Sequence, residues 1–104
     1  MTSGNGSHAQ PDPAEVDRRI AELRGRMDEH DSRLVALLNE RASCAKEIGK
    51  LKQTLGREVY QPEREIEVLN HVRSRNGGPL DADAITRLFE RIIDEARRLE
   101  RSGE

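Results

Sequence analysis

The chain of 104 residues has no tryptophan, one tyrosine and one phenylalanine, so aromatic side chains make up only 2% of it. With hydrophobic residues at 34%, this scarcity excludes a compact single-chain core built around large rings. The single cysteine, Cys44, excludes an internal disulfide framework and fits a reduced compartment. His8, His30 and His71 do not stand at metal-ligand spacings with it, so no metal or other cofactor is expected. No apolar run approaches the ~20 residues that a membrane helix requires. The opening MTSGNGSHAQ also lacks the basic-then-apolar layout of a secretory signal. A cytoplasmic protein without a membrane role is therefore expected. Eighteen basic and 20 acidic residues leave a net charge of −2, and no basic block is interleaved with stacking aromatics, so a nucleic-acid partner finds no support.

What is present is charge, 37% of the chain, with leucine, isoleucine and alanine as the main apolar residues. That mixture implies long helices packed side by side and an all-α fold. Residues 1–11 read as a disordered tail rich in small polar residues, and 12–104 as one helical domain. Asp12 can cap a helix that Pro13 opens, with Glu15 completing a capping box. From there Val16, Ile20, Leu23, Met27, Leu34, Leu37, Leu38, Ala45, Ile48 and Leu51 recur at three- and four-residue steps, and the pattern holds until Gly56. A second helix opens at Pro62, carries Ile66, Leu69 and Val72 on its apolar side, and ends at Asn76-Gly77-Gly78-Pro79 with glycine as a left-handed cap. Asp81 caps a third helix, whose expected buried face is Ile85, Leu88, Phe89, Ile92, Ile93, Ala96 and Leu99.

The first helix, from about residue 13 to 54, would measure on the order of 60 Å at 1.5 Å per residue, against a radius of gyration of roughly 13 Å for a compact chain of this size. Its own chain cannot cover it. The expected assembly is therefore a two-fold homodimer in which a second copy buries the stripe.

Polar residues interrupt these apolar faces. Arg41, Ala45, Ile48 and Lys52 are spaced i, i+4, i+7 and i+11, and ~100° per residue brings all four into one narrow stripe. Phe89, Ile93, Ala96 and Glu100 repeat the spacing on the third helix. A bland explanation has the Arg and Lys stems snorkelling at the edge of a helix interface while Glu100 pairs with one of them at the surface. As a set they favour another reading, because several cations held inside a bundle need an anionic counterpart and the same stripes offer few acids. A small anionic ligand meets that need. Arg24 lies 17 residues before Arg41, about 100° around the helix and roughly 25 Å away, so in an antiparallel dimer it enters the partner's pocket.

In these residues the sequence resembles the all-helical class of chorismate mutases. The resemblance spans about residues 15 to 100 and rests on LRGRMDEHDSRLVALLNER at 23–41, EIGKLK at 47–52, VYQPERE at 59–65 and LDADAITRLFERII at 80–93. It implies conversion of chorismate to prephenate on the route to phenylalanine and tyrosine. It also implies a site in which Arg24 comes from the partner, Arg41 from within, and Lys52 contacts both a carboxylate and the ether oxygen. By the same resemblance Arg64 and Glu65 open helix 2, with the glutamate on the substrate's ring hydroxyl, and Glu100 hydrogen-bonds the ether oxygen. Gln61 stands where some relatives have an aspartate near that hydroxyl, and Ala96 where some have a serine that assists a carboxylate. Arg97 occupies a site often apolar in relatives and is read as solvated rather than as an extra anion ligand. Cys44 is read as small-residue packing beside the stripe, and Asp31 as the partner of a cation in the dimer.

Such residue types suit the chemistry. Guanidinium groups grip carboxylates bidentately, which holds a dicarboxylate in the folded conformer that an internal rearrangement requires. Donors placed at the ether oxygen stabilise the charge that grows there as the C–O bond breaks. Glu100 serves as such a donor only when protonated.

Two other readings remain open on sequence grounds. One is isochorismate pyruvate lyase, which shares the fold and a similar set of cations. The other is a non-catalytic helical dimer that regulates a shikimate-pathway enzyme. A separate pathway synthase is a possible partner, and a chain that runs from Met1 over this length is expected to carry no fused catalytic domain.

Overall fold

The computed structural model describes residues 10–102, and residues 1–9 of the expected tail lie outside the described residues. Three helices follow one another: α1 (Pro13–Thr54), α2 (Pro62–Arg75) and α3 (Ala82–Ser102), with no strand among the described residues. The fold is all-α, and the helix limits follow the punctuation of the sequence. No helix among the described residues is long and apolar enough to cross a membrane.

At the start of α1 the Ala14 amide donates to Asp12 Oδ1 at 3.3 Å, and the Val16 amide donates to the Asp12 carbonyl at 3.0 Å. The second half of the expected capping box does not form. Glu15 pairs instead with Arg18 one turn on, a charged partner being stronger than an exposed backbone amide. The end of α1 is a Schellman turn. The Arg57 amide donates to the Lys52 carbonyl at 2.8 Å and the Gly56 amide to the Gln53 carbonyl at 3.1 Å, with Gly56 at φ 65°. That left-handed residue reverses the chain directly over Lys52.

Pro62 occupies the first turn of α2, where its missing amide proton costs nothing. The far end of α2 differs from the expected glycine cap. Asn76 is the cap, in extended conformation, and its side chain organises the connection by accepting from the Gly78 amide at 3.1 Å and donating to the Leu80 carbonyl at 2.6 Å. The left-handed residue is Gly78, two positions later. Asp81 caps α3 as expected, its Oδ1 accepting from the Ala84 amide at 2.8 Å. The helices α2 and α3 pack together, and Arg73 donates to Thr86 Oγ1 between them at 3.0 Å.

The chain divides into two compact units, one ending at Leu37 and the other beginning at Leu38. In the first, every described residue is exposed, including Val16, Ile20, Leu23 and Met27. In the second, Ala45 and Ile93 are the only buried hydrophobic residues found anywhere among the described residues. The expected buried face of α3 is accordingly mostly half-buried, with Leu88 exposed. On α2, Val68, Leu69 and Val72 are half-buried while Ile66 is exposed. No described side chain is fully enclosed, and two buried ones fall far short of offsetting the conformational entropy of some ninety ordered residues, at about 1–2 kcal/mol each for the backbone alone.

Candidate active site

The second unit builds a cavity of about 360 Å³ from one stripe of α1, the start of α2, and one stripe of α3. Arg41, Ala45, Ile48 and Lys52 all line it, as their spacing on α1 predicts. Ile93, Ala96 and Glu100 do so from α3, while Gln61, Arg64 and Glu65 enter from the first turn of α2 and the residue before it. Every candidate site residue of the second unit is therefore brought to one cavity. Arg24 is not among the lining residues, being exposed on α1 in the first unit.

The lining carries four cations, Arg41, Lys52, Arg64 and Arg97, against two carboxylates, Glu65 and Glu100. Its formal balance is +2, opposite in sign to the chain's net −2. Arg41 is half-buried, and its side chain has no hydrogen bond or ion pair among the described residues. A cation in that state gains from an anionic ligand. Arg64 holds Glu67 one turn along at 3.3 Å, and both side chains are largely exposed, so little free energy resists its turning to a ligand. The Gln61 side chain makes no capping bond, and Ala96 presents only a methyl group.

Lys52 is held at two points. Its Nζ donates to the Val59 carbonyl at 3.0 Å and to Glu100 Oε2 at 3.1 Å, and its side chain and that of Glu100 are 15% and 13% exposed. The bland expectation of a Lys–Glu pair is thus realised, but inside the cavity rather than at the surface. Two local features make it possible. The Schellman turn carries Val59 back to the amine, and Gly49, one turn before Lys52, lets α3 approach. A Cβ on Gly49 would lie 2.8 Å from Glu100 Cα and 2.9 Å from its carbonyl oxygen.

Arg97 departs from expectation. Rather than being solvated, it lines the cavity, bonds Glu65 Oε2 through Nη2, and sets Nη1 3.6 Å from Asp94 Oδ1. Its Cζ lies 4.9 Å from the centroid of the Tyr60 ring. The hydrogen bond to Glu65 raises its pKa above the ordinary arginine value, so the guanidinium stays charged at every working pH. The signal was available: Arg97 is i+4 from Ile93 and i−3 from Glu100, on the same stripe. Gly49 had a comparable signal as a glycine inside a helix, where only a packing need offsets its cost.

Cys44 lines the cavity and is exposed, not packed as expected, because its own chain covers that part of α1 only thinly. Asp31 is exposed and makes no ion pair among the described residues. No group of three or more His, Cys, Asp or Glu residues able to hold a metal ion occurs among the described residues.

Residues 23–101 match the family model described as chorismate mutase type II. A bifunctional chorismate mutase/prephenate dehydratase of Pseudomonas aeruginosa is 41% identical over 87 residues, covering 79% of this chain and 24% of the relative. The chain thus spans about a quarter of the length of such bifunctional relatives. A chorismate mutase of Methanocaldococcus jannaschii is 29% identical over 84 residues, covering 80% of this chain and 85% of the relative. Among solved structures, form II of the chorismate mutase from Thermus thermophilus superposes with a TM-score of 0.78 at 36% identity, covering 80% of this chain and 94% of that one.

Proposed function

Because the chain belongs to the chorismate mutase type II family, we propose that it converts chorismate to prephenate by intramolecular rearrangement. The observation that carries this reading is the cavity's +2 balance around a half-buried Arg41 that has no partner among the described residues, which matches a ligand with two carboxylates. Arg41 and Arg64 grip the carboxylates and keep the substrate folded, so that the reacting ends are held together before the bond exchange begins. Lys52, fixed by Val59 and Glu100, donates to a carboxylate and to the ether oxygen as charge develops there. Glu65 accepts from the ring hydroxyl, with Gln61 beside it. Glu100, when protonated, donates to the ether oxygen as well.

The exposed stripe of the first unit supports a homodimer, since the apolar residues from Val16 to Met27 find no cover within the described chain. In that assembly the partner subunit's Arg24 completes each cavity.

The test is to incubate the purified protein separately with chorismate and with isochorismate. Prephenate from the first, abolished by Lys52→Ala, is the expected result. Pyruvate and salicylate from the second would assign the lyase activity instead, and turnover of neither would remove both enzymatic readings.

A further inference from the structure

The contact between α3 and the start of α2 is made by Arg97 and Glu65, which lie 32 residues apart in sequence and both line the cavity. Each terminal nitrogen of the guanidinium faces a carboxylate, Glu65 on one side and Asp94 on the other, and its face covers Tyr60. Both terminal nitrogens of Arg97 already face protein carboxylates, so a substrate carboxylate approaching them would compete with a partly buried Glu65. Arg41, with no such partner, differs in this respect. The Glu65 carboxylate in turn has only Oε2 engaged; Oε1 bonds nothing among the described residues.

We propose that Arg97 is a positioning residue that holds Glu65 by Oε2 so that Oε1 is the oxygen offered to the substrate, and that its stacking on Tyr60 also secures the connecting segment before α2. The proposal rests on the chorismate reading above for the identity of the substrate, but the clamp itself does not. The segment it secures includes Val59, whose carbonyl holds Lys52. One guanidinium thus steadies two of the groups assigned to the substrate.

Tyr60 is the only tyrosine of a chain without tryptophan, so its emission reports the clamp without any substrate. In the full-length protein, Arg97→Leu and Glu65→Gln are each expected to make Tyr60 more accessible to acrylamide quenching, with Arg97→Lys between these and the wild type. Unchanged quenching in Glu65→Gln would overturn the clamp whatever the enzymology shows. On chorismate, each single substitution should lower kcat/KM roughly tenfold, and the double substitution no further, because the arginine acts through the glutamate. With an analogue lacking the ring hydroxyl, the effect of Arg97→Leu should shrink to the part carried through Tyr60 and Val59 to Lys52. Losses that multiply in the double variant, or persist in full with the analogue, would make Arg97 a direct ligand and overturn the proposal. Circular dichroism checks folding, and if Arg97→Leu does not fold, Arg97→Lys carries the same comparison. A wild type inert towards chorismate would remove the proposed reaction, and the Tyr60 readout would then decide the clamp alone.

Discussion

Residues 13–37 and residues 38–102 carry similar apolar periodicity, yet only the second stretch covers any of it. Val16 and Ile20 in the first are 39% and 40% exposed, whereas Ala45 in the second is 6% exposed. The polar residues diverge as well. In the second stretch Lys52, Glu65, Arg97 and Glu100 are bonded to one another or to the backbone inside a cavity, while the first offers Arg24 exposed. The same heptad-like pattern therefore serves two ends. In one region it builds a charged site, and in the other it leaves a surface whose burial is assigned here to a second copy.

The largest expected effect separates the two regions outright. Lys52→Ala should lower kcat/KM by about 10³-fold, as for the removal of a preplaced donor, while sedimentation shows the assembly unchanged. Arg24→Ala should cost about 10²-fold from the other region. Mixing the two inactive variants after co-refolding should restore about a quarter of wild-type activity, since half the dimers are hybrids with one intact site each; a mixture that stays inert would break the shared-site picture. Gly49→Ala sharpens the account of the second region by inserting a methyl group where Glu100 backbone lies. Overpacking of about 1–3 kcal/mol is expected in denaturant melts, along with a several-fold loss of activity.

Glu100→Gln keeps a group able to donate at the ether oxygen, so it should lower kcat/KM far less than Glu100→Ala does. The smallest effects compare the helix starts. Asp81→Ala should cost about 1 kcal/mol of stability with kinetics intact, and Asp12→Ala less, its capping bond being 3.3 Å against 2.8 Å.

The helix limits were legible because local chemistry sets them: Asp12 and Pro13, Gly56, Pro62 and Asp81 each act within one turn of themselves. The shared stripe of Arg41 and Lys52 was legible for the same reason, since helical spacing alone puts both on one face. The place of Arg97 on the stripe of Ile93 and Glu100 was legible too, but its partners were not, because a solvated arginine and a clamped one look alike until the fold brings Glu65 and Tyr60 to it. Glu15 shows the converse, a capping motif displaced by an Arg18 partner that the motif does not mention. Asn76 likewise replaced glycine at the end of α2, because its amide can make two bonds to the connection that a glycine cannot. What burial α3 would achieve depended on neighbours, which is why only Ile93 of its apolar face is buried, at 9% exposed.

The ammonium of Lys52 has three protons to donate, and two already point at Val59 and Glu100. A ligand that asks this amine for contacts at two of its own oxygens cannot simply be added; one existing bond has to be surrendered. Val59 and Glu100 are the two acceptors that can give way, so docking at this lysine is a trade of one acceptor for another.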